Sequence, residues 1–359
     1  MLPTPRKGNR GNNLRLSALE PIVSRLTVSV LPDFFLDRIV SVPSLSQLFT
    51  QTKAKAAAGG GNLRGYSQKE VRGGNAANLA YGLASLSVRT NLFCVGDTLA
   101  HAAMANHPAN LKVRFIPGQP GLTTALEFPF KKRKVNVMIS GVGGVAKFDG
   151  RQLHHSDLAA LEKSDCVALV NWSANENGNA LAERVFSVHA RKKRLNFLDP
   201  ADLAGVEGRL KPLKRIIDQG LIDVVSVNEN ETRILGAFLS ANRLPHHYTA
   251  RDVLRAAVQL QKILRATVDV HTPIGSASAS DEEQAWAPIP RLIGGAVTGA
   301  GDVWDAGDIV GHLLRFKAHD RLRLANACAY RYISSGGVRL PTLAESERFL
   351  GKRWWDDGS

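Results

Sequence analysis

The segment Val297-Thr298-Gly299-Ala300-Gly301-Asp302 runs into a helical pattern that ends in the apolar stretch Ile309 to Leu314. Glycines that open a helix leave its first backbone N–H groups pointing outward, and the positive end of the helix dipole favours an anion there. An aspartate in that first turn is held at the same spot. Its carboxylate can accept the proton of a hydroxyl attacking a γ-phosphoryl group, while the amides of Gly299, Ala300, Gly301 and Asp302 stabilise the charge that develops. Taken alone, Asp302 is equally compatible with a plain helix cap.

Two upstream segments bear on that choice. Arg72-Gly73-Gly74-Asn75-Ala76-Ala77-Asn78 precedes an Ala-rich helical pattern. Its paired glycines permit close approach of a ligand, and Asn75 and Asn78 offer donors and acceptors to hydroxyl groups. Val227-Asn228-Glu229-Asn230-Glu231 ends an apolar run, and Asn228 with Glu231 could hold a hydrated Mg²⁺ beside phosphates. The same pair also reads as an Asn cap with a reciprocal Glu. Asp305 and Asp308 follow Asp302 at steps of three, so they share roughly one helix face with it and either tune its proton affinity or face solvent.

The elements that must position these residues show in the hydropathy pattern. Leu26 to Leu31 reads as a first buried strand, and apolar runs recur at Thr90 to Val95, Cys166 to Val170, Leu195 to Leu198, Val224 to Val227 and Val268 to His271, separated by helical patterns. That alternation predicts a parallel sheet with helices on both faces. Asn171-Trp172-Ser173-Ala174-Asn175 follows a central strand, where open α/β sheets bind ligands. Asn171 and Asn175 are therefore candidates to line a site, against an ordinary loop with a packing Trp. Two regions break the rhythm: a Gly/Ala-rich segment from about Pro43 to Arg72, and an alternating stretch from Val113 to Ser140 that reads as antiparallel β with a basic tip, Lys131 to Lys134. Together they predict a small β lid.

Composition narrows the function classes. The chain has 359 residues, 44% hydrophobic and 22% charged, with no apolar run near the ~20 residues of a membrane span. The polar, basic start does not read as a secretory signal, so a cytoplasmic protein is expected. Three scattered cysteines build no disulfide framework, and Cys94 and Cys166 sit in strand-like runs as core thiols. His154-His155 and His246-His247 lack a matching ligand cluster for zinc. The net charge of +14 comes largely from short basic runs, but aromatic residues are 6% and none interleaves with those runs, which argues against a nucleic-acid surface. No Gly-x-Gly-x-x-Gly follows a strand, because Trp304 stands where the third glycine would be, and no Walker lysine motif occurs.

The order of Gly-Gly-Asn-x-x-Asn early, Asn-x-x-Glu in the middle and Gly-Ala-Gly-Asp late resembles the ribokinase-like, or phosphofructokinase B-type, family over about residues 26 to 340. The resemblance implies a doubly wound, mostly parallel α/β sheet flanked by helices, with a small β-sheet lid. The expected organisation is a flexible basic extension at 1–20, a kinase domain at 21–345 with lid segments at about 43–72 and 113–140, and a tail at 346–359. By the same resemblance Asp302 matches the catalytic base and Gly299, Ala300 and Gly301 the anion hole. Gly73, Gly74, Asn75 and Asn78 match the acceptor motif, with Asn171 nearby, and Asp37 matches the acid that holds acceptor hydroxyls, Asp33 being its rival. Asn228 and Glu231 match the Mg²⁺-associated motif, acting through water. Thr298, Gly275 and Asn326 fall on the nucleotide side, as do Gly336 and Gly337.

Two departures stand out. Ala296 replaces an acid associated with a monovalent cation, which argues against a potassium requirement, and His271-Thr272-Pro273-Ile274-Gly275 replaces the usual nucleotide turn. The implied activity is phosphoryl transfer from ATP or ADP, with Mg²⁺, to a hydroxyl of a sugar, nucleoside or sugar phosphate. Arg64, Arg72, Lys53 and Lys55 would suit a phosphorylated acceptor. A homodimer through the lid is implied as well. The rival reading is a binding or regulatory protein on a kinase scaffold, favoured by the charge and the altered turn.

Overall fold

The computed structural model describes residues 15–130, 133–190, 194–241, 243–290 and 298–350. Ala296 and the basic residues at 6, 7, 10, 131, 132 and 191–193 lie outside the described residues, as do residues 351–359 of the expected tail. The strands are β1 (Thr27–Leu31), β2 (Phe35–Ser41), β3 (Gln68–Gly73), β4 (Arg89–Gly96), β5 (Leu111–Pro117), β6 (Gly121–Phe130), β7 (Arg133–Gly141), β8 (Cys166–Val170), β9 (Leu195–Asp199), β10 (Val224–Asn228), β11 (Thr267–Thr272), β12 (Gly275–Ala279) and β13 (Gln284–Pro288). The helices are α1 (Glu20–Val23), α2 (Leu45–Ala57), α3 (Asn75–Ser85), α4 (Thr98–Ala103), α5 (His155–Lys163), α6 (Gly178–Ala190), α7 (Leu210–Asp218), α8 (Glu229–Phe238), α9 (Ala250–Leu264), α10 (Ala300–Leu313), α11 (Ala318–Ser334) and α12 (Leu343–Leu350).

Nine strands form one sheet in the order β13-β12-β11-β10-β9-β8-β1-β4-β5, parallel from β11 to β5, with β12 and β13 added antiparallel at one edge. Both faces are covered, which is why its strands read as continuous apolar runs. In β8, Cys166, Ala168 and Val170 pack into one core with Leu79, Leu83, Val303 and Ile309, whereas Val167 and Leu169 pack into the other with Leu181, Phe186, Leu213 and Leu260. Each fully buried Val or Leu contributes about 1.5–3 kcal/mol, so strand and helix faces hold each other in register.

A second sheet, in the order β3-β2-β6-β7, carries the irregular regions. It differs from the expected lid in three ways. β2 precedes the first expected segment and pairs in parallel with β6; β5 belongs to the large sheet; and most of the Gly/Ala-rich segment is the helix α2 rather than β structure. Alanine, lysine and glutamine favour helix, and Ser44 Oγ caps this one by accepting from the Gln47 amide at 3.2 Å. Of the expected flexible extension, residues 17–20 lie in short helical turns that run on to Val23, and Leu16 is wholly buried in the core. The expected tail begins inside α12.

Helices α3 and α10 approach closely because small residues face each other: a Cβ on Gly82 would lie 3.0 Å from the Ala306 Cβ. One turn earlier on each helix stand Asn78 and Asp302, so this contact sets the distance across the site. Gly307 does the same against α11, where its Cβ would meet the Ala325 Cα at 2.8 Å.

Candidate active site

The chain builds β4 and β5 on one side of β1, then returns to lay β8, β9 and β10 on the other. Ligand crevices of open α/β sheets form beyond the carboxyl ends of strands at such a reversal. The residues at or just past those ends are Asp33 after β1, Asn171 after β8, Asp199 closing β9 and Asn228 closing β10.

The N-terminus of α10 closes this cleft. Gly299, the N-cap, has φ 84°, a left-handed conformation that glycine adopts without strain, and no side chain caps the helix. The amides of its first turn therefore face outward. Asp302 stands in that turn, 5% exposed, and its Oδ2 accepts from Asn78 Nδ2 at 3.0 Å. Burial, then the charge of Asp199, pushes its carboxyl well above the usual range, while Asn78 pulls it down. A carboxylate with raised proton affinity is a better base.

Further acids gather behind it. Asp305 is fully buried; Ser226 Oγ donates to its Oδ1 at 2.6 Å, and its other oxygen has no hydrogen-bond partner among the described residues. Burial and then Asp199 raise it well above the ordinary range. Asp199 itself is raised to about 6 by burial. Glu231 is raised by burial and then by Asp199. It forms a reciprocal capping box with Asn228: the Asn228 amide donates to Glu231 Oε2 at 2.8 Å, and Asn228 Oδ1 accepts from the Glu231 amide at 3.0 Å. The cap and the acidic cleft wall are thus one structure.

Asp305 and Asp308 are neither solvated nor equivalent. Asp308, also fully buried, pairs with Arg321. Arg321 Nη1 also donates to Asp269 Oδ2 at 2.7 Å, and His312 Nε2 lies 3.0 Å from that oxygen. Asp269, Asp308 and His312 are close enough to chelate a metal, but the Arg321 guanidinium already supplies their positive charge. Here the carboxylates tie β11 and α10 to α11.

The glycine pair before α3 makes room for two acids. A Cβ on Gly73 would stand 2.0 Å from Asp37 Oδ2, and one on Gly74, at φ 94°, would stand 2.8 Å from Asp33 Oδ2. The two acids part company in role. Asp33 is fully buried and caps α3 from outside, accepting from the amides of Asn75 at 2.9 Å and Ala76 at 3.0 Å and from Asn171 Nδ2 at 3.2 Å. Burial raises it to about 6. Asp37 lies on β2 opposite Thr123, and Thr123 Oγ1 is 3.1 Å from Ser140 Oγ on β7. These three make a polar row across the small sheet, ending beside Gly73.

Several predicted residues fall elsewhere. Asn326 is 2% exposed and committed internally: its Oδ1 accepts from Trp304 Nε1 at 2.8 Å and Ser276 Oγ at 2.9 Å, and its Nδ2 donates to the Ala287 and Pro288 carbonyls. No polar atom of its amide is left for a nucleotide, which corrects the sequence expectation. Asn175 is likewise wholly buried, donating to the Phe148 carbonyl at 2.6 Å. Gly275 opens β12 after a tight hairpin from Thr272, and its missing Cβ lets the Ala287 carbonyl approach. Thr298 is exposed; its Oγ1 accepts from Asn136 Nδ2 of β7 at 3.0 Å and its carbonyl from Tyr332 Oη at 3.2 Å. Arg72 donates to Asn78 Oδ1 at 3.1 Å and lies over the Tyr81 ring, 3.6 Å from its centroid, so it is held against α3. Lys53, Lys55 and Arg64 are exposed on or after α2. All three cysteines are buried free thiols.

Sequence reasoning missed Asp199, Thr123, Ser140, Asn136, Tyr332 and His271. Asp199 had a signal, an acid directly after an apolar strand. His271 stands in the segment already set apart as an altered turn, without a role assigned to it: it is held neutral by burial, lowered to about 4, and stacks on Trp304 with ring centroids 5.0 Å apart beside Gly301. No helix among the described residues is long and apolar enough to cross a membrane.

Comparison with known proteins agrees with this architecture. No curated protein matches the chain in sequence. Among solved structures, a probable sugar kinase from Rhizobium etli superposes with a TM-score of 0.69 at 15% identity, covering 91% of this chain and 98% of its own. The adenosine kinase of Sinorhizobium meliloti gives 0.68 at 16% identity, covering 90% and 98%. The ribokinase of Thermotoga maritima gives 0.68 at 18%, covering 91% and 99%. These likenesses concern the fold. The family profile described as pfkB family carbohydrate kinase matches residues 37–345, and with that match over most of its length the chain belongs to the pfkB family of carbohydrate kinases.

Proposed function

We propose that the chain transfers the γ-phosphoryl group of ATP to a hydroxyl of a sugar, nucleoside or sugar phosphate, with Asp302 as general base. The observation that carries this reading is a buried carboxylate in the first turn of α10, held by Asn78 behind a glycine-led helix N-terminus without a side-chain cap. The acceptor oxygen bonds to the γ-phosphorus as the bond to the ADP oxygen breaks, and the hydroxyl proton passes to Asp302. The amides of Ala300, Gly301 and Asp302 face the charge on the transferring group. Asp37, with Thr123 and Ser140 beside it, holds acceptor hydroxyls, and Asn75 and Asn78 orient them.

The acidic wall fits a divalent cation. Burial first, and then the charge of Asp199, raises the proton affinity of Glu231, Asp302 and Asp305, so these acids share one cleft whose negative charge a divalent cation would offset. Asn228 and Glu231 would hold Mg²⁺ through water, since their direct polar contacts are spent on each other. When bound, Mg²⁺ neutralises charge on the phosphate oxygens. A second copy docking on the small sheet fits the exposed apolar residues Leu122, Val137 and Ile139, which share one of its faces, and sedimentation would report it.

The test is a phosphoryl-transfer screen over ribose, nucleosides, hexoses and their phosphates with ATP, ADP and GTP. Asp302→Asn should lose about 10²–10⁴-fold in kcat. A variant as active as the wild type would end the assignment of Asp302, and a wild type inactive on every acceptor would end the kinase reading.

A further inference from the structure

We propose that Arg72 is a positioning residue for Asp302, acting through Asn78. This rests on the kinase reading above and deepens it. An asparagine amide can be turned either way by 180°, and the two orientations present opposite groups to a carboxylate. Arg72 decides between them. Its Nη1 donates to Asn78 Oδ1 at 3.1 Å, so the oxygen is taken and Nδ2 is left to donate to Asp302 Oδ2 at 3.0 Å. The guanidinium is fixed in turn by the Tyr81 ring beneath it, 3.6 Å from the centroid. Arg72 closes on α3 from β3, so three elements, β3, α3 and α10, meet in one chain of contacts: Tyr81, Arg72, Asn78, Asp302.

The surroundings give this chain its importance. Asp302 is faced by Asn75 and Asn78 from α3, Asp33 from the end of β1, Asp199 from β9, Asp305 from its own helix and Tyr332 from α11. Asp33, Asp199 and Asp305 all disfavour its charge. Arg72 is a cation coupled to this site, its own proton affinity being supported by the Asp302 charge. Arg72 therefore favours the ionised form of the base and fixes which end of the Asn78 amide meets its Oδ2. It does not need to touch either substrate.

The test uses the full-length protein and two variants. Arg72→Gln keeps a donor for Asn78 without charge, and Arg72→Lys keeps charge without the planar stack on Tyr81. For Arg72→Gln, kcat should fall tenfold or more, acceptor KM should change less than threefold, and the acidic limb of the kcat–pH profile should move to higher pH. Arg72→Lys should recover the position of that limb. Carbon-13 NMR of the aspartate carboxyls reads the same upward shift of Asp302 without turnover. A raised acceptor KM with unchanged kcat would overturn the proposal in favour of substrate binding, and an unmoved Asp302 titration in Arg72→Gln would overturn it outright. An active wild type with a dead Asp302→Asn and unaffected Arg72 variants would sink this proposal alone; an inactive wild type would sink the kinase reading, leaving the titration to decide.

Discussion

Gly73→Ala separates the two jobs of the glycine pair. The added Cβ would lie 2.0 Å from Asp37 Oδ2, 2.3 Å from its Cγ and 2.6 Å from Oδ1, so the whole carboxylate must swing away. The backbone has no matching objection, because Gly73 ends β3 outside the left-handed region, and replacing a strand glycine by alanine gains about 0.5–1 kcal/mol. Stability should therefore stay within about 1 kcal/mol of wild type by urea unfolding. The loss should appear in catalysis. A hydrogen bond from an acceptor hydroxyl to a charged Asp37 is worth about 1.5–3 kcal/mol, which is roughly 10- to 150-fold in kcat/KM. In an Asp37→Ala background the cost of Gly73→Ala should vanish, since nothing remains to be displaced. Full kcat/KM in Gly73→Ala, or an undiminished loss in the Asp37→Ala background, would refute the reasoning. Gly74→Ala gives the contrast: at φ 94° it strains the backbone as well, so it should cost about 1–3 kcal/mol of stability.

Arg321→Met strands two buried carboxylates, Asp269 and Asp308, and should cost about 3–5 kcal/mol in denaturant unfolding; a loss under 1 kcal/mol would contradict the ion-pair account. Asn326→Leu leaves Trp304 Nε1 and Ser276 Oγ without their acceptor and should cost about 2–4 kcal/mol while nucleotide KM stays within twofold, whereas a large KM change at intact stability would restore its nucleotide role. Asp33 binds its proton more tightly folded, at about 6, than unfolded, near 3.8. Its contribution is therefore full below pH 4, declines as pH rises from 4 to 6, and is constant above. Asp33→Asn should flatten that part of the stability–pH curve, and an unchanged slope across pH 4–6 would contradict the burial argument.

Period and punctuation alone specified six parallel strands of the large sheet, β1, β4, β8, β9, β10 and β11. Apolar runs at Cys166 to Val170 and Val224 to Val227 could be satisfied only by burial on both faces, and glycine-led starts at Gly74 and Gly299 marked where two helices open. That is local chemistry, and it appears in the chain order. What a strand at Phe35 to Ser41 pairs with is not local. Its parallel partner, β6, lies some eighty residues on, and so the small sheet's membership was misread, as was the helix α2 within the expected lid.

The same division runs through the site. Asp302 and its glycines were legible because position on a helix follows from sequence spacing. Whether Asp33 or Asp37 faces the acceptor, whether Asp305 is solvated, and whether Asn326 meets a ligand depend on which groups lie across the cleft. Only packing brings Asn78 to Asp302, through the Gly82–Ala306 contact, and Asp199 to Asp302 and Asp305 of α10. Sequence determined which residues could carry charge and where helices begin. The fold decided which charges share a low-dielectric cleft, and burial there, more than residue type, sets how tightly each carboxylate holds its proton.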